Sequence, residues 1–323
     1  MPTDIAAEFL TRAGPLCTDQ AADLELLVDA VLAALVPPRS PADLDHRVLL
    51  ASRRNADRQQ LWSQIGQAQM HLAVHTIDHV RALGASLADP QTWVPVYAHA
   101  GMARSAVESA ALLLHLLAEG QPFDVRLDRG VALLIVDAGE AVKAANLVEG
   151  NAYMPSPGPV VTAERDRLVA LVDHALIERV PNKPGTATKG MRVSPDGREE
   201  PVAIRVSELA QAHFGDMRAI YGLLSGVVHG LPWRLADSAH IRGREMLWEP
   251  DPVDIGGSVL AALAAASRAG AGFAAYRGFG DHQVVGRLAD RAHQADRVLA
   301  AFSRQWGVLD GVRPTVARFL QAK

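Results

Sequence analysis

The chain has 323 residues, 49% of them hydrophobic and only 5% aromatic, enough apolar material for a large core and too much for a disordered segment. Its formal charge of −4 supplies no global positive field, so any site for a polyanion has to be local. Cys17 is the only cysteine, which excludes an internal disulfide and points to a reducing compartment.

Ala and Leu dominate, and β-branched residues seldom alternate with polar ones over strand lengths. Both features predict an all-α helical bundle. The start, MPTDIAAEFL, lacks the basic-then-apolar order of a signal peptide, so a cytoplasmic protein is expected. Residues 3–36 read as one or two amphipathic helices carrying Leu24, Leu27, Val28, Val31, Leu32 and Leu35, stopped by Pro37 and Pro38.

A second helical stretch starts near Ser40, with Pro41 in a first-turn position, and runs to about Leu87 with a break around Asn55. Its first half carries Arg47, Arg53, Arg54 and Arg58. Asp43, Asp45 and Asp57 interleave with them, as on a solvated face. Further on, His71, His75 and His79 repeat at i, i+4 and i+8 beside Asp78, a spacing that suits either a polar interhelical stripe or a metal site.

Between Val94 and Ala118 the only charged residues are Arg104 and Glu108, and apolar side chains surround the helix, which places it at the centre of the bundle. Helices are expected at 126–147 and 163–180. The stretch 181–203 breaks the pattern with repeated Pro and Gly. Its Pro-Asp-Gly turn between MRV and PVAI suggests a small hairpin or an irregular flap. A helix from Ser207, as cap, to His229 ends at Gly230 and Pro232. Helices at 253–277, 281–306 and 312–322 complete the chain. Ser258–Tyr276 is the best membrane candidate, but it is rich in Ala and Gly and contains Arg268, so no membrane anchoring is expected.

Residues on an α-helix advance about 100° each, so Arg104, Glu108 and His115 share one face. Tyr221, Ser225 and His229 form a second stripe, bordered by Arg218. Gly222 and Gly226 beside it would admit a close backbone. If the two stripes face each other, Arg104, Glu108, Tyr221, Ser225 and His229 make one polar site, either a structural network or a ligand or catalytic centre. No phosphate-binding loop, dinucleotide fingerprint, paired CxxC or HExxH is present, and no cofactor is expected.

The pair ARSAVESAALLLHLL (103–117) and YGLLSGVVHG (221–230) resembles bacterial families with an Ala-Arg-x3-Glu helix and a later Tyr-x3-Ser-x3-His helix. Those families are similar to the HEPN superfamily of helical bundles, which includes abortive-infection proteins and toxin ribonucleases. The resemblance covers residues 65–280, which leaves 1–64 as an N-terminal helical annex and 281–323 as C-terminal helices packed on the core. It implies a defence- or stress-associated protein, pairing as a homodimer, with RNA as partner. Ribonuclease members carry an Arg before the His on one helix, with four to six residues between the two. Here those positions are Gly222, Leu223 and Leu224, so Arg104 or Arg218 would have to supply the cation. In a metal-independent ribonuclease His229 would then be the acid or base, Arg104 the phosphate partner and Glu108 its orienting group, with Tyr221 and Ser225 positioning substrate. A non-catalytic interaction protein and a metal-dependent enzyme using His71, His75 and His79 are the alternatives.

Overall fold

The structure, a computed structural model, describes residues 2–88, 94–148, 157–181, 188–193, 199–231, 235, 238–242, 244–248 and 250–305. It is 76% helical, an all-α bundle with two small sheets. In chain order the elements are α1 (Pro2–Ala33), α2 (Pro41–Ala51), α3 (Asn55–Ser86), α4 (Ala98–Leu117), α5 (Phe123–Val148), α6 (Gly158–His174), β1 (Glu178–Pro181), β2 (Thr188–Arg192), β3 (Glu200–Pro201), α7 (Val206–His213), α8 (Arg218–Val228), β4 (Ala239–Arg242), β5 (Glu245–Trp248), α9 (Pro252–Arg277) and α10 (Gln283–Gln305).

Local chemistry sets several boundaries. Ser40 caps α2 by accepting the Asp43 N–H at 3.2 Å, with Pro41 in the first turn, where no N–H is needed. Asp251 caps α9 through the Val253 N–H at 2.8 Å, and Gly278 closes it with φ 84°. Between α2 and α3, Arg54 takes a left-handed φ of 57°, which makes the break expected near Asn55.

Helix α4 packs against α3 on one side and α9 on the other, with α1 and α10 closing the bundle around α9. Ala103, Ala106, Val107, Ala110 and Leu113 of α4 and Ala262 to Ala266 of α9 are buried. The small residues let the two helix axes approach. Leu24, Leu27 and Val31 of α1 and Leu288 of α10 lie in the same core cluster, so the terminal stretches share the central core. A second cluster joins Leu61 and Ile65 of α3 with Phe123, Leu127 and Val131 of α5, Val172 of α6 and Met191 of β2. By length and composition one described helix, Pro252–Arg277, could cross a membrane; 67% of its apolar window is buried inside the bundle.

Several sequence expectations need correction. The helix expected at 163–180 runs from 158 to 174, and 178–181 is strand β1. Strand β2 pairs antiparallel with β1 on one side and β3 on the other, so the hairpin expected within 181–203 is part of a three-stranded sheet. Its Pro-Asp-Gly turn lies outside the described residues, as does the helix expected at 312–322. The hairpin of β4 and β5 was not anticipated; Trp248 at its end meets the Tyr97 ring edge-on, centroids 6.3 Å apart. The helix expected at 207–229 is two helices. Arg268 of α9 bonds the His213 carbonyl, pairs with Asp216 at 2.5 Å and stacks over Phe214, which holds the chain open between α7 and α8. Ser207 lies inside α7 and Arg205 occupies the cap position. Gly222 serves no close approach, since a Cβ there would meet nothing within 4 Å.

Candidate functional site

The carboxyl end of α8 sets the position of its histidine. Gly230, with φ 63°, donates to the Val227 carbonyl, and Leu231 donates to that of Gly226, each at 3.0 Å. This is the left-handed glycine closure of a helix, and it fixes His229 as the last residue of the coil, exposed on the surface. Only glycine adopts that φ without strain, so the termination read from Gly230 has a steric cause.

On the facing helix, Arg104 and Glu108 are one turn apart. Arg104 Nε donates to Glu108 Oε1 at 2.7 Å, and a terminal guanidinium nitrogen of Arg104 lies 3.1 Å from His229 Nε2. The Tyr221 hydroxyl donates to the same Glu108 oxygen at 2.9 Å. Four of the five residues read from the sequence therefore form one chain of hydrogen bonds, Tyr221 to Glu108 to Arg104 to His229, tying α4 to α8. Ser225 stands one turn before His229 on α8, and its carbonyl accepts the His229 N–H at 3.0 Å. Among the described residues its hydroxyl takes no part in the network.

The electrostatics follow from this geometry. Burial works against the Arg104 charge, but the hydrogen bond and negative charge of Glu108, with help from Tyr221, hold the guanidinium above its ordinary value. Burial and the adjacent Glu108 carboxylate push the Tyr221 hydroxyl up, so it stays protonated and donating. A guanidinium can only donate, so in this contact His229 Nε2 is the acceptor and faces a fixed cation.

His115 does not belong to this cluster. It is half-buried near Arg129 and His213, where burial first and the Arg129 charge second lower its pKa to about 4. Arg129 itself bonds Glu200 at 3.1 Å and the His115 carbonyl at 3.2 Å, beside a cavity of about 490 Å³. The His71, His75 and His79 stripe is divided among different partners. His75 Nδ1 lies 2.6 Å from the Ser109 hydroxyl of α4, His79 Nδ1 bonds the His75 carbonyl at 2.9 Å, and His71 lines a second cavity. Among the described residues no group of three or more His, Cys, Asp or Glu is placed to hold a metal ion.

Two of the four arginines of the 47–58 stretch are also committed. Arg47 pairs with Asp43, and Arg58 donates to the Ala175 carbonyl at 3.1 Å. Asp45, expected on a solvated face, is 2% exposed. It receives two bonds from Arg126, and a third at 3.0 Å from the Tyr276 hydroxyl, while the guanidinium also reaches the Ala118 and Gln121 carbonyls. Burial, with Asp45 beside it, drives the Tyr276 hydroxyl far above the tyrosine range. This buried triad was missed because its members lie on three elements and share no periodicity. The one local signal was the helix start at Ser40 and Pro41, which places Asp45 in the helix that follows.

Asp128 was missed too. It is 3% exposed, accepts the Val193 N–H at 3.2 Å with one oxygen and, among the described residues, has no partner for the other. Burial, reinforced by Asp124 and Glu200, raises its pKa to about 7 despite that hydrogen bond. Comparisons of this chain with family models, with curated proteins and with solved structures find no match.

Proposed function

We propose that the chain is a HEPN-like helical protein of the defence- or stress-associated kind, and that it cuts RNA without a metal at the Arg104–His229 pair. The observation that carries this reading is the 3.1 Å contact between the Arg104 guanidinium and His229 Nε2, made across 125 residues of sequence. It joins the two motifs on which the resemblance rests, and it supplies from α4 the cation missing at positions 222–224 of α8.

The chemistry follows from the groups present. A phosphodiester beside Arg104 has its non-bridging oxygens taken by the planar guanidinium, whose second terminal nitrogen is unused in the network among the described residues. Once the phosphate takes over the Arg104 N–H that His229 Nε2 accepts in the free protein, that nitrogen removes the proton from the ribose 2′-hydroxyl. The freed oxygen forms a bond to phosphorus as the bond to the 5′ oxygen breaks, giving a cyclic phosphate. The protonated imidazole then returns its proton to the departing 5′ oxygen. Glu108 holds the guanidinium in place, and Tyr221 and Ser225 border the bound nucleotide. His229 and Tyr221 reach the surface, and an open site of this kind suits a polymer better than an enclosed small molecule. Two chains pairing through the bundle belong to the same proposal, and light scattering tests it directly.

The closed hydrogen-bond chain favours a second reading, in which the four residues only tie α4 to α8. A degradation assay with full-length protein, labelled RNA and a chelator separates the two. Under the first reading wild-type protein cleaves and His229→Ala abolishes cleavage with its thermal unfolding unchanged. Cleavage surviving in His229→Ala rejects the catalytic assignment. An inactive wild type, with a lowered Tm in His229→Ala, supports the structural tie.

A further inference from the structure

The histidines of α3 are not equivalent in the folded chain. His79 Nδ1 lies 2.9 Å from the His75 carbonyl, and a carbonyl only accepts, so this nitrogen donates. His75 Nδ1 lies 2.6 Å from the Ser109 hydroxyl, whose single proton goes to the Ser105 carbonyl at 2.7 Å. The proton of the His75–Ser109 bond therefore comes from Nδ1 as well. In both rings Nδ1 is committed as a donor, and Nε2 is the nitrogen left to hold an ion. Metal-ligating histidines are oriented by the same device, the second ring nitrogen donating to a carbonyl or another acceptor.

The two rings also stand together. Their centroids are 4.1 Å apart on successive turns of α3. Neither Nε2 has a hydrogen-bond partner among the described residues, and His75 is exposed and His79 half-buried, so both are within reach of solvent. Two imidazoles that share an ion at about 2.0–2.1 Å have ring centres about 4.5–5 Å apart, so the pair needs to open by less than about 1 Å. Burial first and His79 second lower the pKa of His75, which favours the neutral, ligating ring, against a smaller pull from Asp78. Arg81 is shared between Asp78 at 3.6 Å and Glu25 at 2.7 Å, one guanidinium against two carboxylates, and that surplus favours a cation. His71, one turn earlier, instead lines a cavity of about 660 Å³. Among the described residues no third His, Cys, Asp or Glu is placed to join the pair.

We infer that His75 and His79 chelate one divalent transition-metal ion through their Nε2 atoms, with water in the remaining coordination positions. Imidazole nitrogen suits zinc, copper and nickel, copper being held most tightly, and offers hard magnesium none of the oxygen ligands it requires. Helix α4 then serves two neighbours: Arg104 and Glu108 turn to α8, while Ser105 and Ser109, each next in sequence, steady the His75 ring of α3. The site shares no residue with the Arg104–His229 pair and stands whether or not that pair cleaves RNA.

Calorimetric titration of the untagged full chain with zinc chloride, and with magnesium chloride beside it, tests the inference. Zinc is expected to bind saturably and magnesium not at all, and His75→Ala and His79→Ala should each weaken zinc by at least about tenfold. His71→Ala and His229→Ala should leave zinc affinity unchanged. In nitrogen–proton spectra of the imidazoles, zinc should shift the Nε2 signals of both His75 and His79. Ser109→Ala frees the His75 ring, so its Nδ1–H signal should be lost to exchange with water and zinc affinity should fall about tenfold. If that variant does not fold, the exposed His75→Ala decides alone. No saturable zinc binding, equal uptake of magnesium, full affinity in either His75→Ala or His79→Ala, or an equal loss in His71→Ala would overturn the assignment.

Discussion

Arg126 meets Asp45 through two hydrogen bonds of 2.6 and 2.7 Å, with both side chains almost wholly buried, and so fastens α5 to α2. Neither charge has water to fall back on. Removing one leaves the other stranded in a medium of low dielectric constant, a loss of about 3–5 kcal/mol. Asp45→Ala is therefore expected to lower unfolding stability by that amount in urea titrations. A change below about 1 kcal/mol would show that Arg126 finds another partner.

Glu108 orients the Arg104 guanidinium and accepts from Tyr221. Glu108→Gln keeps the shape but loses the charge that fixes the fork, so under the proposed ribonuclease reading cleavage should fall by up to about 100-fold with little change in RNA binding. Arg104→Lys should be at least as damaging, because a lone ammonium cannot reach Glu108, His229 and a phosphate together. Single-turnover rates and filter binding, measured side by side, check both.

Asp128 has a folded pKa of about 7, well above the ordinary aspartate value of 3.8. The folded chain then binds more protons than the unfolded one between those two values, so this group's contribution to stability is present below about 4 and is lost as pH rises toward 7. Asp128→Asn removes that dependence. The variant should gain Tm over wild type at a pH of about 8, and the gain should shrink at about 5. A gain independent of pH would mean that Asp128 does not titrate in this window.

Gly84 on α3 lies where α1 crosses. A Cβ there would stand 2.7 Å from the Thr18 hydroxyl, 2.9 Å from the Thr18 nitrogen and 3.0 Å from the Gly14 carbonyl. Two of these are backbone atoms that cannot turn away, so the helices must separate. Gly84→Ala should cost about 1–3 kcal/mol despite the better helix propensity of Ala. Gly66 on the same helix has open space around it, and Gly66→Ala should be neutral or stabilising in the same denaturation series.

How much the sequence disclosed depended on how local the cause was. The breaks at Pro37, Asn55 and Gly230 and the helix start near Ser40 were legible because each is decided within a few residues. The Arg104 and His229 helices could be paired because charge is so sparse on α4 that its two ionic groups had to point somewhere specific. The separation of α7 from α8 was hidden, since Arg268 of a distant helix holds it. His115 was misplaced for a different reason. It shares the face of Glu108, but lies about 10 Å further along the axis, among other neighbours. Asp45, Arg126 and Tyr276 left no pattern because burial and partnership are properties of the assembled bundle.

Tyr276 contributes to the walls of both the 490 Å³ and the 660 Å³ cavities, with its hydroxyl held by Asp45. Its ring is therefore a fixed partition: it cannot swing aside to widen one chamber at the expense of the other. A guest entering either side meets a surface already in its final position and loses little freedom of the protein on docking. Trimming that ring to a methyl group would remove a wall that the two cavities share and take from Asp45 one of the three hydrogen bonds donated to it.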